Sequence, residues 1–144
     1  MKNIKFYIPV LLLALLAGVP NTVQAQNDFV VIVNNTVQEE SLTKSNMRRI
    51  YFGFTTQWKN FERVKPSYME ISNAAFWNYI STEKGKFKNF WTKKVFSGNG
   101  VAPDEFSSGK DVIDFVSRTN GAIGIIPSSA QGDIGANCRV ISLQ

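Results

Sequence analysis

Residues 108–126 read SGKDVIDFVSRTNGAIGII, and the two halves of this stretch follow different periods. Ser108 with Asp111 three residues later is a capping-box-like helix start, using Asp where Glu or Gln is usual. Val112, Phe115 and Val116 then recur at helical spacing as a buried stripe, and Gly121 closes the segment. Ala122 to Ile126 follows as a short apolar run, the mark of a strand buried on both faces. A helix feeding directly into a buried strand is the repeating unit of an α/β domain, with helices packed on a sheet.

Working outward, the same two signals recur. Phe29 to Val33 is a second continuous apolar run, bounded by Asp28 and Asn34-Asn35, and reads as a buried strand. Thr43 is placed as a helix N-cap, with Leu42 and Met47 as its hydrophobic staple. Met47, Ile50 and Tyr51 form that helix's stripe, and Gly53 ends it. Val64 to Ile71 reads as a weaker strand, where Pro66 implies an edge or a strand start. Asn73 caps a helix whose Phe76, Trp77 and Ile80 face a core, and Phe87, Phe90, Trp91 and Val95 stripe the next helix. Cys138 to Leu143 reads as a final strand, with Cys138 a small buried residue within it.

Composition bounds the chemistry. The chain has 144 residues, no histidine and one cysteine. Without imidazole, Ser-His-Asp and Cys-His mechanisms are excluded. One cysteine excludes an internal disulfide, zinc sites of the CxxC kind and iron–sulfur ligation. No cofactor or metal is expected.

The first 25 residues read as a targeting segment. Lys2 and Lys5 precede an almost wholly apolar run from Ile8 to Val19, and Val23-Gln24-Ala25 supplies the small-x-small pattern of a cleavage site. The run is shorter than the ~20 residues of a spanning helix, so cleavage after Ala25 and a periplasmic or secreted product without a membrane span are expected. The junction carries no cysteine for a lipid anchor. Residues 26–144 form the expected single domain, with 14 basic and 11 acidic residues. A balance this mild, and spread out, is no nucleic-acid footprint.

Several motifs have a plain structural reading. Asp111 with Asp114, Glu39-Glu40 and Asp104-Glu105 are acid pairs, but they are adjacent or within one helical turn, where solvation and the helix dipole explain them. A glycan-cleaving pair normally comes from separate elements across a cleft. Lys84, Lys86, Lys88, Lys93 and Lys94 interleave with Phe87, Phe90 and Trp91 and read as a solvated helix face, or else as a surface for an anionic partner. Asn34-Asn35-Thr36 matches a glycosylation triplet that is common by chance. Gly121-Ala122-Ile123-Gly124 reads as helix termination with close backbone packing. The helix start at Ser72-Asn73 offers unpaired N–H groups and a positive dipole end, which suit either simple capping or oxyanion binding.

Several segments together resemble the phosphate ABC transporter substrate-binding proteins. Arg49-Ile50-Tyr51-Phe52-Gly53 followed by Thr55-Thr56-Gln57-Trp58 is similar to their IF-G-(I/T)T-W signature. Phe76-Trp77-Asn78-Tyr79-Ile80 resembles their FTxYL helix, and Trp91 through Gly100 the W…G…G stretch after it. Val116 to Ile125 looks like their V-x-x-T-P-G-A-I-G-Y segment, with Asn120 for proline and Ile125 for tyrosine. The resemblance runs in order from about residue 29 to 127.

It implies a single lobe of a type 2 periplasmic-binding-protein fold, a mixed sheet with helices on both faces. A full member has two lobes that close on a ligand, and this chain has room for one. The family's Arg-x-Asp-Gly-Ser-Gly-Thr phosphate loop is replaced by Pro66-Ser67-Tyr68-Met69-Glu70-Ile71-Ser72-Asn73, which holds no arginine. Ser72, Asn73 and the backbone N–H of Ala74 are therefore the expected contacts to a small oxyanion such as phosphate. The implied role is non-catalytic ligand binding in uptake or sensing at the cell envelope. The alternative is an interaction module on the same lobe, binding an envelope protein partner or a second copy as a homodimer.

Overall fold

The computed structural model describes residues 28–70 and 74–144. The targeting segment 1–25 and two of the expected contacts, Ser72 and Asn73, lie outside the described residues. The described chain runs β1 (Phe29–Asn34), β2 (Ser41–Leu42), α1 (Lys44–Tyr51), β3 (Lys65–Met69), α2 (Ala74–Tyr79) and α3 (Lys84–Phe96). It continues as β4 (Asp104–Phe106), α4 (Gly109–Arg118), β5 (Ala122–Pro127), a 3₁₀ segment (Ser128–Asp133), β6 (Cys138–Val140) and β7 (Ser142–Leu143).

Five strands form a mixed sheet in the order β4-β3-β5-β1-β6. β4, β3 and β5 run parallel, while β1 is antiparallel to both β5 and β6. β2 and β7 make a separate parallel pair. Side chains alternate across the sheet as the two-residue strand period requires. Phe29, Val31 and Val33 of β1, with Tyr68, Ile123 and Ile125, pack under α1, α2 and α3. Ile32, Ala122 and Ile126 pack instead under Val112, Ile113 and Val116 of α4. Helices thus cover both faces, as expected.

The capping chemistry of α1 is local and complete. Thr43 Oγ1 accepts from Asn46 N at 3.1 Å, and Asn46 Oδ1 accepts from Thr43 N at 3.1 Å. Leu42 and Met47 are both buried in the core, as the staple requires. Gly53 follows at φ +70°, the left-handed turn that glycine takes without cost.

Three expectations need correction. Ile113, not Phe115, completes the buried stripe of α4. Phe115 lies against Phe106 of the edge strand β4, at a ring-centroid distance of 5.2 Å, where the sheet ends and solvent reaches it. On α3 only Phe87 and Trp91 are buried; Val95 is exposed in the last turn. Of the two readings of Pro66 the strand start holds: β3 is interior, and Pro66 sits at its beginning, where pairing to β4 starts only at Ser67. The final strand is split: β6 pairs with β1, and after buried Ile141 the chain joins β2 as β7. Cys138 is buried and free within β6, its sulfur accepting from Ser117 Oγ at 3.3 Å.

Candidate functional site

The parallel strands place their carboxyl ends together. Tyr68 of β3 pairs with Ile125 of β5 and with Glu105 of β4, so Glu70, Ser107 and Ser128 leave the sheet at the same end. β1 enters there in the opposite sense, with Phe29 paired to Pro127 and Asp28 O accepting from Ser128 N at 3.2 Å. In an open α/β sheet this end is where loops converge and ligands bind.

Two helices start at this end. α4 begins behind Ser108, whose Oγ accepts from Asp111 N at 3.1 Å. Gly109 lets that start close on the next segment, since a Cβ there would lie 3.2 Å from Ala130 Cβ. α2 follows β3 and is anchored by Phe76 and Trp77, which are buried beneath it. Ala74, its first residue, is exposed at this end. Of the three expected contacts it alone lies among the described residues.

The charge beside this segment comes from a residue that local reading assigned to a solvated helix face. Lys84, the first residue of α3, donates from Nζ to the Glu70 carbonyl. It also lies 3.7 Å from Glu105 Oε1, while Lys88 lies 3.0 Å from the same oxygen. Partial burial would raise the Glu105 carboxyl, but the hydrogen bond and charge of Lys88, joined by Lys84 and Tyr68, outweigh it and hold the group below its ordinary value. Burial and the Glu105 charge push the Tyr68 hydroxyl above its ordinary range. The cluster carries the cations Lys84 and Lys88 and the anion Glu105, and the Glu70 charge also acts on Tyr68. Its only sequence signal was a lysine one helix beyond the segment it serves.

Glu105 belongs to this cluster, and the other two acid pairs are occupied elsewhere. Asp114 is bridged to Lys110 at 2.9 Å on the open face of α4. Glu39 Oε1 accepts from Lys59 N at 2.8 Å, which ties one loop to another. Among the described residues no three Cys, Asp or Glu side chains converge as a metal site. The glycosylation triplet is structural: Asn34 is 5% exposed, and its Nδ2 donates to Val116 O at 2.7 Å. The glycine run packs as expected. A Cβ on Gly121 would lie 2.2 Å from Arg63 O, and one on Gly124 would lie 2.5 Å from Val112 Cγ1.

Comparison with models of known protein families finds no match, and comparison with curated protein sequences finds none. Solved structures do match. An ABC-type phosphate transport receptor from Vibrio cholerae superposes with a TM-score of 0.53 at 16% identity, over 81% of this chain and 46% of the receptor. PstS from Borrelia burgdorferi matches with a TM-score of 0.57 at 14% identity, over 81% of this chain and 47% of PstS. A structure from Clostridium perfringens, described as a phosphate ABC transporter substrate-binding protein with bound phosphate, matches at 0.60 and 17% identity, over 81% and 44%. At such identities the likeness establishes the fold. The chain spans less than half the length of these structures, and its architecture is that of one lobe of them.

Proposed function

We propose that this chain is an exported, non-catalytic binding protein for a small oxyanion of the phosphate class, acting in uptake or sensing at the cell envelope. The observation that carries this reading is the shared single-lobe fold, since one of the matching structures holds bound phosphate. The carboxyl end of β3 is the proposed contact region, through Ser72, Asn73 and the backbone N–H of Ala74. Lys84, already on the Glu70 carbonyl, supports the same reading. It offers a positive charge near the segment where the resemblance predicts an arginine and residues 66–73 hold none. Export rests on the targeting pattern of residues 1–25.

Ligand-dependent stability tests the proposal. Phosphate at 100 times its dissociation constant should add about 2.7 kcal/mol, read as an upward melting shift. Low millimolar concentrations keep the general salting-in-or-out of the fold small, and calorimetry separates binding from solvent effects. No shift and no binding heat with phosphate, sulfate or arsenate would overturn the reading.

A further inference from the structure

The far end of α3 carries a feature that the oxyanion reading does not use. Phe96 is 89% exposed and Val101 87%, one on each shoulder of the turn through Gly98, which sits at φ +73°. Val95, at 47%, and Phe54, at 60%, lie beside them. Phe54 joins this patch through Lys94, whose Nζ stands 5.3 Å from the Phe54 ring centroid and 4.9 Å from that of Trp91. Scattered single apolar residues on a surface are ordinary, but a cluster at a projecting turn marks an interaction surface.

The charge around the patch is mainly positive, with Asp104 beside Val101 and Glu105 beside Phe96 as the acids. Residues 84–101 contain five lysines and no acidic residue. Lys84, Lys86 and Lys88 are paired with Glu105 or Glu83. Lys93 and Lys94, in the last turn beside Phe96, have no ion pair among the described residues. Arg63 and Lys65 line the adjoining cavity of 420 Å³ together with Lys94, Val101 and a single acid, Asp104.

We propose that this end of the molecule docks on an anionic lipid surface, with Phe96 and Val101 entering the headgroup boundary and Lys93, Arg63 and Lys65 over the phosphates. An exposed apolar tip collared by cations is the arrangement that interfacial binding requires. A second copy of the chain is disfavoured as the occupant, because pairing two such faces would bring Lys93 and Lys94 of each copy together. The apolar residues project from a turn, a shape that suits a soft, extended anionic surface. The two ends of α3 are separated by about 18 Å, from 1.5 Å per residue, so docking here leaves the Lys84 end free.

The test is vesicle co-sedimentation of the chain, comparing phosphatidylcholine vesicles with vesicles containing phosphatidylglycerol. Wild type should bind the anionic vesicles more tightly, and added salt should weaken that binding. F96S/V101S should weaken it about tenfold or more. K93E, which moves two charges at the surface, should weaken it roughly 25-fold. The chain is used from residue 26 on, as cleavage after Ala25 would leave it, so that the apolar run of residues 8–19 cannot itself bind the vesicles. Melting curves should show the variants folded, because the altered side chains are solvent-exposed. Equal vesicle binding by wild type and both variants overturns the proposal, as does absence of wild-type binding. It also falls if soluble polyglutamate binds with the same variant sensitivity while the vesicles do not, since the partner is then an acidic polypeptide. Phosphate binding is read separately, so either proposal can fail alone.

Discussion

The indole Nε1 of Trp91 donates to the Tyr51 carbonyl at 2.9 Å, joining α3 to the last turn of α1. Carbonyls at a helix C-terminus lack intrahelical donors, and here a neighbouring helix supplies them. Lys94 Nζ reaches Phe52 O at 3.3 Å in the same way, and Arg48 of α1 in turn donates to the Ile80 and Ser81 carbonyls behind α2. The three helices on this face are knitted end to side. The Trp91 ring also needs the bare backbone of Gly53, where a Cβ would lie 2.7 Å from Trp91 Cη2.

Trp91→Phe keeps an aromatic ring but orphans the buried Tyr51 carbonyl, which should cost about 1–3 kcal/mol. Gly53→Ala meets both the ring and the left-handed backbone, and should cost at least about 1 kcal/mol. Urea denaturation of each variant measures these losses.

Asn34 holds the far end of α4, donating to Val116 O at 2.7 Å and accepting from Thr36 N at 3.0 Å. Asn34→Ala should destabilise by about 1–3 kcal/mol. Asn34→Asp should be worse at pH 7, because it buries a carboxylate facing a carbonyl. Thermal melts at neutral pH order the two.

Gly124 lets Val112 and Val116 close on β5. Gly124→Ala should cost about 1–3 kcal/mol through overpacking. Combined with Val112→Ala it should cost less than the sum of the single changes, because the second removes the clash that the first creates. Denaturant midpoints of the four species give the coupling.

Glu105 has a lowered pKa in the folded chain, so its contribution to stability is present above its unfolded value. It is lost as pH falls through the folded one. Glu105→Gln should therefore flatten the stability profile below about pH 4.5, the ordinary value of the group. Tyr68 has the opposite sense: its raised pKa favours the folded state below about pH 10, and that contribution is lost as pH climbs higher. Tyr68→Phe should flatten the alkaline limb. Melting temperature against pH reads both.

Lys84→Gln should weaken phosphate binding about tenfold or more while leaving the fold intact, since a charged hydrogen bond contributes about 1.5–3 kcal/mol. Lys84→Arg should restore part of it. Calorimetric titration with phosphate measures the two, and equal affinity in wild type and Lys84→Gln would remove Lys84 from the site.

The elements legible in the sequence were those whose signals are local. The Thr43 cap with its Leu42–Met47 staple, the Phe29 to Val33 run and the Gly121 turn each specify structure within a few residues, and each formed as read. β2, with two residues, and β4, with three, are too short to carry a period, and only pairing with a distant strand defines them. Phe115 and Ile113 flank the same helical stripe, so local spacing could not say which lies over the sheet and which over its edge.

The sequence by itself determined the α/β class, the caps that begin α1 and α4, and the exclusion of imidazole chemistry and of a disulfide within these residues. Tertiary structure decided which groups meet. Lys84 reaches the carbonyl of Glu70, 14 residues earlier, and Asn34 reaches Val116, 82 residues later. Neither contact has a local signature, because backbone carbonyls are identical along the chain. Only the packing of helices on a shared sheet selects the one that each side chain finds.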